Sequence, residues 1–254
     1  MLDPQALSRL GRFAEEVDHQ AGAATLEGLY GVGSLALGDW QASLSNLDIL
    51  AVAGQTWDAG LMHRLRPAVD QLAVHRHRPA RVAFLSWSDL AQDPSTITAP
   101  VLVGSRAAPT DDLVNPMTWQ ILRVSGVCTR GPEYPEVGSG DVRDWASRRI
   151  LTWWPPRVAR WRRRPADLWF RRQTEPAVLE IARLSVIATS GRVVSKLEAG
   201  ESLIDGARTS VQRVLKDSVG HRRGVHTSMY WGPFERKTDS INWILSVIDQ
   251  QHPQ

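Results

Sequence analysis

The spacing of apolar residues changes along the chain and divides it into elements. Leu7, Leu10, Phe13 and Val17 recur at helical intervals, which predicts an amphipathic helix over 4–20. A short strand is expected near 26–31, then a Gly-Ser turn, a short helical segment and an apolar strand over 47–53. Residues 58–76 return to helical spacing, with Pro67 expected in a bend or first turn. RVAFLSW, 81–87, reads as a second core strand, and VLVG, 101–104, as a short one within a run rich in Pro, Ser and Thr. Asn115 followed by Pro116 is a helix start, and Gly126 a helix stop. Beyond the loop PEYPEVGSGD the pattern is helical: 141–151, 157–172, 176–190, 196–205, 207–219 and 235–250. The elements predict an α/β N-terminal domain over 1–137 and an all-α helical-bundle domain over 138–254.

Composition adds little until charge is mapped along the chain. With 254 residues, 43% hydrophobic and 22% charged, the chain can bury a sizeable core. A lone cysteine, Cys128, excludes an internal disulfide framework. The first helix lacks the unbroken apolar core of a signal peptide, and no segment reaches membrane-spanning length, so a cytoplasmic protein without a membrane partner is expected. The window 141–175 is different: ten arginines face four acids, and five of the eleven tryptophans lie there. Arginine interleaved with aromatics suits nucleic acid or an anionic aromatic ligand, while a solvated linker with packed tryptophans explains it equally well. A nucleic-acid partner is disfavoured because no second recognition motif accompanies the stripe.

The candidate chemistry sits at the start of the 47–53 strand. Asn46 and Asp48 are two residues apart and so share one strand face, where a carboxylate pair would clamp a divalent metal. Only one of them is acidic. His75 and His77 in HRHRP, the two histidines of HRRGVH, 221–226, and Cys128 read as surface or structural positions. Asp39, Asp89 and Asp93 read as turn or helix caps.

GVGSLALGDWQASLSNLDILAVA, 31–53, resembles the signature of the nucleotidyltransferase superfamily, most closely the aminoglycoside adenylyltransferases of the streptomycin/spectinomycin type. NPMTWQILRVSGVCTRGPE and ARLSVIATSGRVVSKLEAGESL, 182–203, are similar to two further blocks of that family in the same order. The resemblance implies a nucleotidyltransferase-like α/β (α+β) domain with a mixed sheet, followed by the helical bundle. It also implies transfer of a nucleotide by two magnesium ions on three carboxylates. Carried onto this chain, those three positions are Asn46, Asp48 and Arg81, a site charge of zero where three acids would give −3. Gly33 and Ser34 match the phosphate-cradling turn, and Lys196 a triphosphate contact; Arg183 is included with them as ligand-binding.

These substitutions favour a fold that has left metal-dependent transfer behind and binds, or transforms, a small molecule in the cleft expected between the two domains. Asp48, Arg81 and Asn46 would supply the chemistry, and Gly33, Ser34, Lys196, Arg183, Trp153, Trp154, Trp161 and Trp169 the binding surface. No metal and no cofactor are expected, and the ligand would be apolar, aromatic or anionic. The alternative is an active ATP- and magnesium-dependent adenylyltransferase of an antibiotic hydroxyl; a weaker one is an RNA-binding or regulatory pseudoenzyme. Because the matching acceptor region RWRRRPADLWFRRQTEPAVLE is arginine-rich, a polycationic sugar should be repelled.

Overall fold

The computed structural model describes residues 3–21, 25–73, 75, 77–164 and 166–252. It resolves into two compact units, Met1–Gly140 and Asp141–Gln254. The sequence places the same division three residues earlier, within the Gly-rich loop.

The first unit is built on a six-stranded mixed sheet with the order β5-β4-β3-β2-β1-β6. Its strands are β1 (Gly28–Val32), β2 (Asp48–Ala53), β3 (Arg81–Ser86), β4 (Val101–Val103), β5 (Arg106–Ala108) and β6 (Val127–Arg130). β2 and β3 run parallel, and every other pairing is antiparallel. β2 is buried along its whole length, as a central strand covered on both faces must be. One face carries Ile49, Ala51, Val82 and Phe84 against α1 (Pro4–Ala21) and α2 (Ala59–Gln71), whose apolar stripes bury Leu10, Phe13, Leu65 and Val69. The alternate residues Leu50, Val52, Ala83 and Leu85 point the other way and are equally buried. Trp119 and Leu122 belong to α4 (Pro116–Ser125), which begins as its sequence predicts: Asn115 Oδ1 accepts the Thr118 N–H at 3.0 Å and Pro116 takes the first position.

Local expectations fail at several points. Residues 33–38 form successive turns and not a short helix. Pro67 lies inside α2, which ends at Gln71. Ser86 closes β3 and caps the single-turn α3 (Trp87–Leu90), so Trp87 is helical. β5 lies in a stretch read from sequence as loop.

The second unit is helical throughout its regular structure. It comprises α5 (Val142–Arg163), α6 (Arg171–Ser190), α7 (Lys196–Ser202), α8 (Thr209–Arg222) and α9 (Pro233–Gln251). Two helices expected at 141–151 and 157–172 are instead one continuous helix ending at Arg163, and α6 starts at Arg171, before Pro176. Pro155 and Pro156 remove the amides that would bond the carbonyls one turn back, at a cost near 3 kcal/mol each in an isolated helix. Packing outweighs it. Ala146, Ile150, Trp154, Val158 and Trp161 form one unbroken buried stripe that crosses the prolines, in the helix that packs on α6 and α9. The Arg157 guanidinium also donates to the Trp153 carbonyl at 3.0 Å. Gly191, at φ 71°, supplies the left-handed turn that stops α6.

Candidate functional site

Asp48 and Arg81 are the first residues of two adjacent parallel strands, and the register sets them directly opposite each other. Strand alternation puts both on the Leu50–Ala83 face. The result is a two-pronged ion pair: Arg81 Nε donates to Asp48 Oδ1 and the Arg81 terminal nitrogen to Oδ2, both at 2.6 Å. The planar guanidinium fork matches the carboxylate, which is what makes this the strongest form of a side-chain charge pair. Asp48 is 10% exposed at its side chain and Arg81 28%, so the pair opens to solvent from the arginine side. Arg81 Nη1 also donates to the Asp112 carbonyl at 3.4 Å, and its backbone N–H to the Leu47 carbonyl at 2.8 Å.

The Gly-Ser turn closes over this pair. Gly33 follows Val32, the register partner of Asp48, and adopts φ 63°. A methyl group at Gly33 would lie 2.6 Å from Asp48 Oδ2, so both the backbone conformation and the close approach call for glycine here. Ser34 is half-buried beside it, and its carbonyl accepts the Asp39 N–H at 2.9 Å, which holds the turn shut. Asn46 stands just before β2, two residues from Asp48; its carbonyl accepts the Trp40 indole N–H at 3.1 Å.

The C-terminal residues singled out from sequence assemble a second charged group within their own unit. Lys196 opens α7 and lies 3.2 Å from Glu180; Arg183 reaches both Glu180 oxygens at 2.7 and 2.6 Å. Burial pushes the Glu180 carboxyl up, but Arg183 and Lys196 together outweigh it and hold it well below the usual carboxylate range. Burial pulls the Lys196 ammonium below its ordinary value, and Glu180 opposes that shift only in part. Glu180 is the member the sequence reading missed, although its i,i+3 spacing from Arg183 was a visible signal. The 110–112 turn that contacts Arg81 carried no such signal.

The tryptophans do not form one surface. Trp154 and Trp161 are in the packed interior of the helical unit, ring centroids 6.1 Å apart, and so are core side chains where a ligand wall was expected. Trp153 is covered by the Arg149 and Arg157 guanidinia. Trp169 is half-buried against Phe234 at 5.6 Å. Cys128 is half-buried at the edge strand β6, and burial pushes its thiol up, away from nucleophile behaviour.

No protein-family model matches the chain, and no curated protein matches it in sequence. A solved structure does match it in shape: spectinomycin adenyltransferase AAD(9) from Enterococcus faecialis, crystallised with ATP and spectinomycin, has a TM-score of 0.65 at 12% identity, covering 96% of this chain and 98% of that one. The fold is nucleotidyltransferase-like. A mixed-sheet α/β unit precedes a helical one, the order implied by the sequence blocks. No helix among the described residues is long and apolar enough to cross a membrane.

Proposed function

We propose that this nucleotidyltransferase-like protein has given up metal-dependent nucleotidyl transfer and uses the Asp48–Arg81 site to bind a small anionic or aromatic molecule. The observation that carries the reading is the two-pronged pair itself. Both oxygens of Asp48 are engaged by a guanidinium at 2.6 Å. Magnesium needs converging anionic oxygens. Here the donor set is one carboxylate already matched in charge, the neutral amide of Asn46 and a cation in place of the third acid. Among the described residues, no group of three His, Cys, Asp or Glu side chains comes together to hold a metal. The residues do not fit the pair of ions that the family would bring.

They do suit an anion. Arg81 keeps part of its guanidinium open to solvent while Asp48 fixes its plane, so an incoming carboxylate, phosphate or sulfate group meets an oriented donor. The Gly33–Ser34 turn beside it adds a serine hydroxyl and a backbone without a side chain in the way. The alternative, an active adenylyltransferase of an antibiotic hydroxyl, is favoured by the structural likeness, which spans nearly the whole of both chains.

Calorimetry separates the two. The proposed reading expects no magnesium-dependent heat with ATP, and a gain of such binding in the double variant Asn46→Asp with Arg81→Glu, which rebuilds three acids. Magnesium-dependent micromolar ATP binding by the unaltered protein, or an AMP adduct on spectinomycin detected by mass spectrometry, would overturn it.

A further inference from the structure

Among the described residues, three exposed aromatic side chains lie in the helical unit, far along the sequence from the Asp48–Arg81 strands. Trp231 is fully exposed, and Phe234 and Phe170 are 66% and 55% exposed. Soluble proteins seldom leave rings of this size grouped on the surface without use. Three contacts bring the start of α9, with Phe234, beside the basic end of α5; Trp231 lies three residues before Phe234, and Phe170 directly follows Trp169. Trp169 stacks edge-on against Phe234, Arg236 donates to the Trp169 carbonyl, and Lys237 donates to the Arg164 carbonyl at 2.5 Å. Arg162, Arg163 and Arg164 at that end are all exposed, as is Arg172, whose guanidinium lies 5.3 Å from the centre of the Phe170 ring. The acids nearby are Asp167, half-buried, and Glu235, which lies 3.4 Å from Arg213. The surface is therefore strongly cationic with rings set among the cations.

We propose that this corner of the helical unit, where the end of α5 meets the start of α9, docks a single-stranded polynucleotide. Its phosphates would pair with Arg162, Arg163 and Arg164, and its bases would stack on Trp231, Phe234 and Phe170. Unpaired bases expose their faces to aromatic side chains, and sequence-tolerant stacking of this kind combines with a basic track in single-strand binders. Arginine serves both halves, pairing with phosphate through its fork and stacking through its plane; Arg172 already lies over the Phe170 ring. Charge decides against a second copy of the chain, because a two-fold contact would press the arginine cluster against itself. A membrane suits the surface less well, since α9 turns Ile241, Ile244 and Val247 inward and offers no continuous apolar face to lipid. The sequence reading tied the arginine stripe to the tryptophans of the 141–175 window. The fold sends Trp154 and Trp161 inward and sets Phe234, from the start of α9, against Trp169.

Fluorescence anisotropy with a labelled oligouridine of about 12 nucleotides tests the proposal at about 50 and about 200 mM salt. Binding is expected to weaken with salt. Trp231→Ala with Phe234→Ala should weaken it about tenfold or more, the loss of one to two stacked bases. Arg162→Ala with Arg163→Ala should reduce the salt slope by about 1.4, two phosphates' worth for a single strand. All four side chains are exposed, so the variants should melt with the parent; if the aromatic pair does not, Phe170→Ser gives the same reading on a third ring. Absence of binding at the lower salt, indifference to the aromatic variants, equal affinity for duplex RNA, or capture of anionic lipid vesicles in preference to the oligonucleotide would each overturn it. Self-association that depends on Trp231 would do so as well. The surface does not rest on the proposed role of Asp48 and Arg81, and neither variant should change the calorimetry described for that site.

Discussion

Two arginine–carboxylate pairs in this protein lie in opposite settings. Arg222 and Glu175 meet at 2.8 Å between α8 and α6 with side chains 3% and 1% exposed. Arg81 and Asp48 meet at 2.6 Å at the head of two strands, with the arginine 28% exposed. The first pair is sealed within the helical unit, and the second Glu175 oxygen has no hydrogen-bond donor among the described residues. Such a pair adds little net stability, because desolvation consumes its Coulomb gain, yet removing one partner strands a buried charge. The second pair keeps water on one side and is capped by a glycine turn that brings backbone close to it. Burial separates a charge that holds helices in place from a charge that can meet a ligand.

The contrast is broken most strongly by Arg222→Ala, which should cost about 3–5 kcal/mol in chemical denaturation. Replacing both members, Arg222→Met with Glu175→Leu, should recover most of that loss. If the single change is as mild as a surface substitution, the pair is not sealed. Arg81→Ala should cost less, about 1–3 kcal/mol, because solvent can reach the surviving Asp48. A double-mutant cycle of Arg81→Ala and Asp48→Asn should be non-additive; additive midpoints would mean that the two side chains do not meet. Gly33→Ala should follow at about 1–2 kcal/mol, through its positive φ and the collision with Asp48 Oδ2, and should weaken ligand binding beyond its effect on folding.

The smallest effect is the most specific to charge. Glu180 has a folded-state value below that of the unfolded chain, so the stability it provides is complete above the ordinary carboxylate range and fades as pH falls below it toward the folded value. The deficit of Glu180→Gln, read as the shift in urea midpoint, should hence be constant from neutral pH down to about 5 and shrink at lower pH. A deficit independent of pH would mean that the carboxylate acts through packing alone.

What could be read from sequence lies where local pattern and tertiary demand agree. β2 and β3 are apolar runs that each open on a charged residue, so once they pair in parallel their alternation leaves Asp48 and Arg81 on one face. The start of α4 was equally legible, because Asn115 and Pro116 satisfy the helix end with their own atoms. Other features were not. The turns at 33–38 and the 110–112 turn against Arg81 are shaped by neighbours that no short window contains. Glu180 takes its importance from Lys196, which arrives from a different helix.

The amino-acid pattern by itself determined the strand-head charges, the capped helix and the α/β-then-helical order, since each depends on residues adjacent in the chain or on strict alternation. Tertiary structure alone decided that α5 runs through Pro155 and Pro156, that Trp154 and Trp161 face inward, that Phe234 meets Trp169, and that Lys237 of α9 reaches the Arg164 carbonyl at the end of α5. The reason is one of magnitude. A proline inside a helix costs near 3 kcal/mol, whereas burying one large side chain returns about 1.5–3 kcal/mol, and the α5 stripe buries several at once.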